Sequence, residues 1–123
     1  LFRVRSSGYN LLLAHPERYS YIDFKAIASL AAQGVKMQCE LGSFMGVYGR
    51  RAEKLARKMA DKGLVHVLAS DLHRAKDAHA WLGDSIKKVR KRYGDQGVQQ
   101  ALEVNPRKLL DGAYPEDIDP ISR

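Results

Sequence analysis

The sequence predicts an α/β protein built on a parallel sheet, and three observations carry that prediction. Short apolar runs alternate along the chain with segments of helical spacing. The stretches between runs are long enough for the helical crossovers that parallel pairing requires. Leu64–Ala69 is almost wholly apolar, as a strand covered on both faces should be.

Each element follows in turn. Leu11–Ala14 reads as a buried strand that stops at His15-Pro16, because proline cannot donate to a strand ladder. Phe24, Ile27, Ala28 and Ala31 recur at i, i+3, i+4 and i+7, a helix with one buried face, capped by Asp23 and closed by Gly34. Ile22 and Ile27 have the spacing of a hydrophobic staple. Val35, Met37, Cys39 and Leu41 alternate with Lys36, Gln38 and Glu40, giving a second strand whose polar side chains share a face. Gly42–Gly49 is a glycine-rich loop without the Gly-Lys-Ser/Thr ending of a Walker loop. Ala52, Leu55, Ala56, Met59 and Ala60 then mark a second helix, and Leu64–Ala69 a third strand ending at Ser70-Asp71-Leu72-His73. Leu82, Ile86, Val89 and Tyr93 predict a helix capped by Gly94, Val98–Val104 a further short one, and Gly112 onward a weakly ordered tail.

The 123 residues are the length of one domain, and 45% hydrophobic with 28% charged residues excludes a disordered, collagen-like or coiled-coil chain. No apolar stretch approaches the length of a membrane-spanning helix, and Leu1–Arg5 is too short and charged for a signal peptide. The single cysteine, Cys39, forms no internal disulfide, which is compatible with a cytoplasmic location. Twenty-one Lys and Arg against fourteen Asp and Glu leave +7, favouring anionic partners. Most of that charge falls on outer helix faces: Arg50, Arg51, Lys54, Arg57, Lys58 and Lys62 fill the positions left by one apolar stripe, and Lys87, Lys88, Arg90, Lys91 and Arg92 surround Val89. No base-reading module or stacking series accompanies them, so nucleic acid is not expected as a partner.

Ligands gather at the carboxyl ends of parallel strands, and here those ends carry His15, Glu40, Asp71 and His73. Asp71 and His73, two apart, share a side if the extended backbone persists, an oxygen and a nitrogen donor suited to a divalent metal. The alternative is a carboxylate capping the next helix beside a surface histidine. His15, ending a different strand, adds a third ligand type. Arg18, three residues on, can hold two oxygens of a phosphoryl group, its alternative being an ordinary pair with Glu17 or another carboxylate. His66 inside the apolar strand reads as a hydrogen-bonded structural residue, His79 as solvated, and Cys39 as a small buried hydrophobe.

The succession LLLAHPERY, QCELGSFMGVYG, GLVHVLASDLH and NPRKLL, from about Gly8 to Leu110, resembles the polymerase-and-histidinol-phosphatase (PHP) family. Within it the chain is most similar to the bacterial capsule or exopolysaccharide branch of manganese-dependent protein-tyrosine phosphatases. That resemblance implies a distorted, TIM-like (β/α)7 barrel with a multinuclear cluster of divalent metals, Mn2+ or else Fe, Zn or Mg, and a metal-activated water attacking phosphorus. His15, Asp71 and His73 match family metal ligands, and Arg18 matches the arginine that acts on the substrate phosphate. Gln38 and Ser43 match the strand and loop beside the pocket. The implied substrate is a phosphotyrosine protein, a bacterial tyrosine kinase of polysaccharide export, acted on in the cytoplasm.

Three departures qualify the match. The family opens with a His-x-His strand and further ligands that this chain does not contain, so residues 1–111 are expected to be the C-terminal half of a PHP phosphoesterase domain, inactive alone, followed by the tail 112–123. Glu40 stands where the family carries a small amide, and the added carboxylate can reach a metal or the phosphate-binding arginine. Ala78 stands where a second phosphate-contacting arginine is usual, leaving Arg74 or Lys76 to substitute. Two other functions fit the same residues: a phosphatase of small phosphomonoesters, and a non-catalytic half-barrel whose open edges drive self-association.

Overall fold

The computed structural model describes residues 7–121. Three parallel strands, β1 (Leu12–Ala14), β2 (Lys36–Glu40) and β3 (Val67–Ala69), form one sheet in the order β1-β2-β3. Ala14 lies opposite Gln38, and Glu40 opposite Ala69, so the carboxyl ends of all three strands emerge at the same edge. Helix α1 (Phe24–Ala32) connects β1 to β2, and α2 (Gly49–Asp61) connects β2 to β3. The fold is thus α/β with a small parallel sheet. Helices α3 (Gly83–Gln99) and α4 (Asn105–Leu110) follow the last strand.

The elements form where local chemistry favours them. The Asp23 carboxylate accepts from the Ala26 amide at 2.8 Å and caps α1, and Gly34, at φ +85°, turns the chain out of it. Ile27, Met37, Cys39, Met59, Ala60 and Val65 are wholly buried, forming with their neighbours a core between helices and sheet. On α2 the exposed positions hold Arg50, Arg51, Lys54 and Lys58, as the apolar stripe predicted. Helix α3 breaks direction at Gly94, whose φ of 78° and ψ of 165° are not helical, so the Gly94 stop is real and the segment beyond it a separate piece.

Of the segment expected as a weakly ordered tail, 112–123, the described part up to Ile121 packs against the body of the fold, and 122–123 lie outside the described residues. Ile118 and Ile121 are both 1% exposed, and the Ile121 amide donates to the Val65 carbonyl at 2.8 Å, an added contact beside the sheet. Asn105 ties the same segment down, its amide donating to the His66 and Asp119 carbonyls at 2.6 and 2.7 Å. Two apolar side chains among acids and prolines carry no periodic signal, yet each contributes about 2 kcal/mol when buried.

His66 is the structural residue expected. Its Nδ1 accepts from the Met37 amide at 3.2 Å, and burial, then the nearby Lys36 charge, lower its pKa to about 4. The folded chain therefore keeps a neutral imidazole at pH values where the unfolded chain takes up a proton. Stability is expected to fall as pH drops from about 6.5 toward 4, by about 2 kcal/mol from this group. Urea unfolding at pH 7 and pH 5 checks it: His66→Gln should lose that part of the slope.

Candidate metal and phosphate site

The site is assembled by three chain reversals at the carboxyl edge of the sheet. After β1 the His15 amide still donates to the Gln38 carbonyl at 2.9 Å, and His15 then turns to φ 38°. This left-handed conformation is uncommon outside glycine, though histidine and aspartate visit it more than most residues. Pro16–Arg18 follows as a single 3-10 turn. Successive residues of that turn point apart: Glu17 is wholly buried, whereas the Arg18 side chain stays 36% exposed. After β3, Asp71 is also left-handed, at φ 47°.

Three ligand-bearing residues converge there. One ligand atom each from His15, Glu40 and Asp71 lie within 4.8 Å of one another. His15 Nε2 is 4.0 Å from Glu40 Oε1, and Arg18 Nη1 donates to that same oxygen at 2.8 Å and to Asp71 Oδ2 at 3.4 Å. The Glu40 side chain is fully buried, yet its Oε2 has no hydrogen-bond partner, and neither has His15 Nδ1. One donor atom each from an imidazole and two carboxylates is a set that fits a divalent cation, and the buried Glu40 Oε2 and His15 Nδ1 are lone pairs without a protein partner beside it.

Glu40 reaches this position because the Pro16–Arg18 turn folds over the end of β2. The Glu40 amide donates to Glu17 Oε1 at 2.9 Å, and the Ser43 hydroxyl donates to the same oxygen at 2.8 Å. Burial raises the Glu17 pKa above its ordinary value, against the lowering effect of those two donors. Burial, then the adjoining Glu17, also pushes the Cys39 thiol well up, so it stays a protonated core side chain.

Arg18 lies on the ring of Tyr48, its Cζ 4.2 Å from the centroid. Burial and the Glu40 carboxylate push the Tyr48 phenol up to about 12, so it remains neutral. A cleft of about 270 Å3 opens beside this stack, lined among others by Arg18, Tyr48, Asp71, His73, Arg74 and Trp81. Two of its walls pack closely on Gly42: a Cβ there would meet Tyr48 at 3.0 Å and Trp81 at 3.3 Å. Gly42→Ala is expected to push the Tyr48 ring off Arg18 and to lower stability by about 1 kcal/mol, readable by urea unfolding and near-ultraviolet dichroism.

The expected residues are thus distributed unevenly. His15, Asp71 and Arg18 lie together, and Arg18 takes Glu40 and Asp71 as partners rather than Glu17. His73 lines the cleft, but its Nδ1 lies 2.8 Å from the Asp71 carbonyl, and Glu40 holds the third place in the convergent group. The left-handed turn at Asp71 ends the extended backbone on which the pairing of Asp71 with His73 depended. Ser43 spends its hydroxyl on Glu17 and is wholly buried. Gln38 is half-buried on β2 and gives its carbonyl to His15. Arg74 rims the cleft, paired with Asp77 at 3.0 Å. Sequence reasoning missed Glu17 and Tyr48; the only available signal for either was a carboxylate and an aromatic flanking predicted site residues.

Comparison with known proteins gives a consistent picture. The sequence model described as capsular polysaccharide synthesis, CpsB/CapC, matches residues 1–111. The tyrosine-protein phosphatase YwqE of Bacillus subtilis is 25% identical over 111 residues, covering 89% of this chain and 43% of that protein. The tyrosine-protein phosphatase CpsB of Streptococcus pneumoniae is 27% identical over 117 residues, 89% of this chain and 48% of that one. The putative tyrosine-protein phosphatase CapC of Staphylococcus aureus is 34% identical over 74 residues, 58% of this chain and 29% of that one. The chain therefore spans less than half the length of these curated relatives. A solved structure from the work on YwqE and CpsB, described as unique metal-dependent tyrosine phosphatases, superposes with a TM-score of 0.77 at 24% identity. It covers 99% of this chain and 51% of that one, a likeness of fold.

Proposed function

The chain belongs to the capsular polysaccharide synthesis CpsB/CapC family, and from that premise we propose that it serves a metal-dependent protein-tyrosine phosphatase in the control of capsule or exopolysaccharide synthesis. Residues 1–111 would form the C-terminal half of a TIM-like (β/α)7 PHP barrel. The observation that carries the reading is the convergence of His15, Glu40 and Asp71 within 4.8 Å, with Arg18 against two of them. YwqE and CpsB, to which the chain is similar, are named tyrosine phosphatases.

His15, Glu40 and Asp71 would hold the cation, with His73 available from the cleft wall. A divalent ion, Mn2+ in the first instance, supplies Lewis-acid activation of water and neutralises phosphoryl charge. The chain's own residues do the rest. Arg18 offers a planar fork to two phosphoryl oxygens, and Tyr48 beneath it keeps that fork in one plane. Arg74 adds a positive charge at the rim. Trp81 and Tyr48 give the cleft apolar walls suited to an aromatic ring, which favours phosphotyrosine over a small sugar phosphate. The substrate would be the phosphorylated tail of a bacterial tyrosine kinase, acted on in the cytoplasm.

The test is hydrolysis of phosphotyrosine peptides by the protein at its natural full length, with Mn2+ and after chelation. Metal-dependent turnover is expected, with catalytic efficiency on peptides exceeding that on sugar or nucleotide monophosphates. Turnover that survives chelation, or a preference for small phosphomonoesters, sinks this assignment.

A further inference from the structure

We infer that Arg18 is the resident counter-ion of the Glu40 and Asp71 carboxylates, displaced when a divalent cation enters between them and His15, and thereby released to bind phosphate. The inference rests on the cation reading above and adds an order to it: cation first, phosphate second.

The geometry sets up a competition. Glu40 Oε1, which Arg18 Nη1 holds at 2.8 Å, is also the oxygen 4.0 Å from His15 Nε2. Asp71, whose Oδ2 Arg18 also reaches, belongs to the same convergent group. The guanidinium edge and a cation would therefore draw on the same two carboxylates. A buried carboxylate needs a neighbouring positive charge, and before a cation arrives Arg18 provides it. With a dication in place that need is met more strongly, and two positive charges so close repel.

The displaced side chain has somewhere to go. Its head is stacked on Tyr48 rather than enclosed, and the 270 Å3 cleft lined by Tyr48, His73 and Arg74 lies alongside. While Arg18 remains paired, an incoming phosphate meets two carboxylates as well as the arginine. Once Glu40 and Asp71 are neutralised, the fork is free for the anion.

Titrating the 123-residue chain with Mn2+ and with inorganic phosphate tests the idea without any turnover. Arg18→Ala, or Arg18→Gln to preserve bulk, is expected to bind Mn2+ about tenfold more tightly than wild type, because a competing cation is gone. Lys54→Ala, which removes an exposed charge on the outer face of α2, should change it less than twofold. In the absence of metal, Glu40→Gln should bind phosphate several-fold more tightly than wild type, since Arg18 is no longer held. Unchanged or weaker Mn2+ binding in both Arg18 variants, or unchanged phosphate binding in Glu40→Gln, overturns the counter-ion role and leaves the cation reading standing. No Mn2+ uptake by wild type or variants overturns both.

Discussion

Replacing His15 by alanine is expected to lower Mn2+ affinity about 100-fold and phosphotyrosine hydrolysis by the full-length protein at least as far, with little change in melting temperature. The asymmetry follows from where the ring sits. His15 supplies the nitrogen donor of the convergent group. Its side chain is 28% exposed and meets Tyr19 only edge-on, at 5.4 Å between ring centres, so little core packing depends on it. Isothermal titration with Mn2+ and a thermal melt of the same sample separate the two effects. His79→Ala, an exposed histidine outside the convergent group and the cleft lining, should change neither. Mn2+ affinity unaltered in His15→Ala would remove this residue from the metal set.

Glu17 gives the opposite pattern. Glu17→Ala is expected to cost about 3 kcal/mol of stability, because it opens a cavity and orphans both the Glu40 amide and the Ser43 hydroxyl. Glu40 would lose its fixed position with it, and metal affinity should fall as a secondary consequence. Glu17→Gln keeps an acceptor oxygen in place and should cost less than about 1 kcal/mol at low pH. The pH dependence has a definite sign. Because burial raises the carboxyl pKa in the fold, the folded chain retains a proton where the unfolded chain has lost it. The stability this group contributes is present at low pH and is lost as pH rises from the ordinary carboxyl value through the raised one. E17Q has no such loss, so its stability relative to wild type should improve between pH 5 and pH 8 in urea unfolding.

These two residues also mark how far the sequence could be read. The three strands were legible because parallel strands advertise themselves as apolar runs, and α1 because Asp23 and Gly34 bracket a regular stripe. His15 and Asp71 could be placed at strand ends by the same reasoning. What could not be read was which side chain turns inward after the strand ends. In HPER the glutamate goes into the core and the arginine out to the site, and only the 3-10 turn over Pro16–Arg18 decides this. Alternation along β2 put Glu40 with Lys36 and Gln38 on one polar face, yet Glu40 is wholly buried while Lys36 and Gln38 are not. The cover comes from residues 22 positions earlier, and the second partner of Arg18 from 53 positions later. The buried tail had the same cause: the Ile121 amide finds the Val65 carbonyl and the Ile118 carbonyl finds the Lys36 ammonium, both far back in the chain.

The left-handed backbone at His15 and Asp71 has a bearing on any attempt to evolve this chain toward robustness. Each residue holds a conformation that glycine adopts freely and that costs other residues about 1 kcal/mol. Asp71→Gly would also remove a carboxylate that shares Arg18 with Glu40. A library screened for thermal resistance alone would therefore reward loss of these two side chains early, before any change in the core. The hardiest descendants would be the emptiest at the sheet edge, and a screen that keeps the site must ask for cation uptake in the same round.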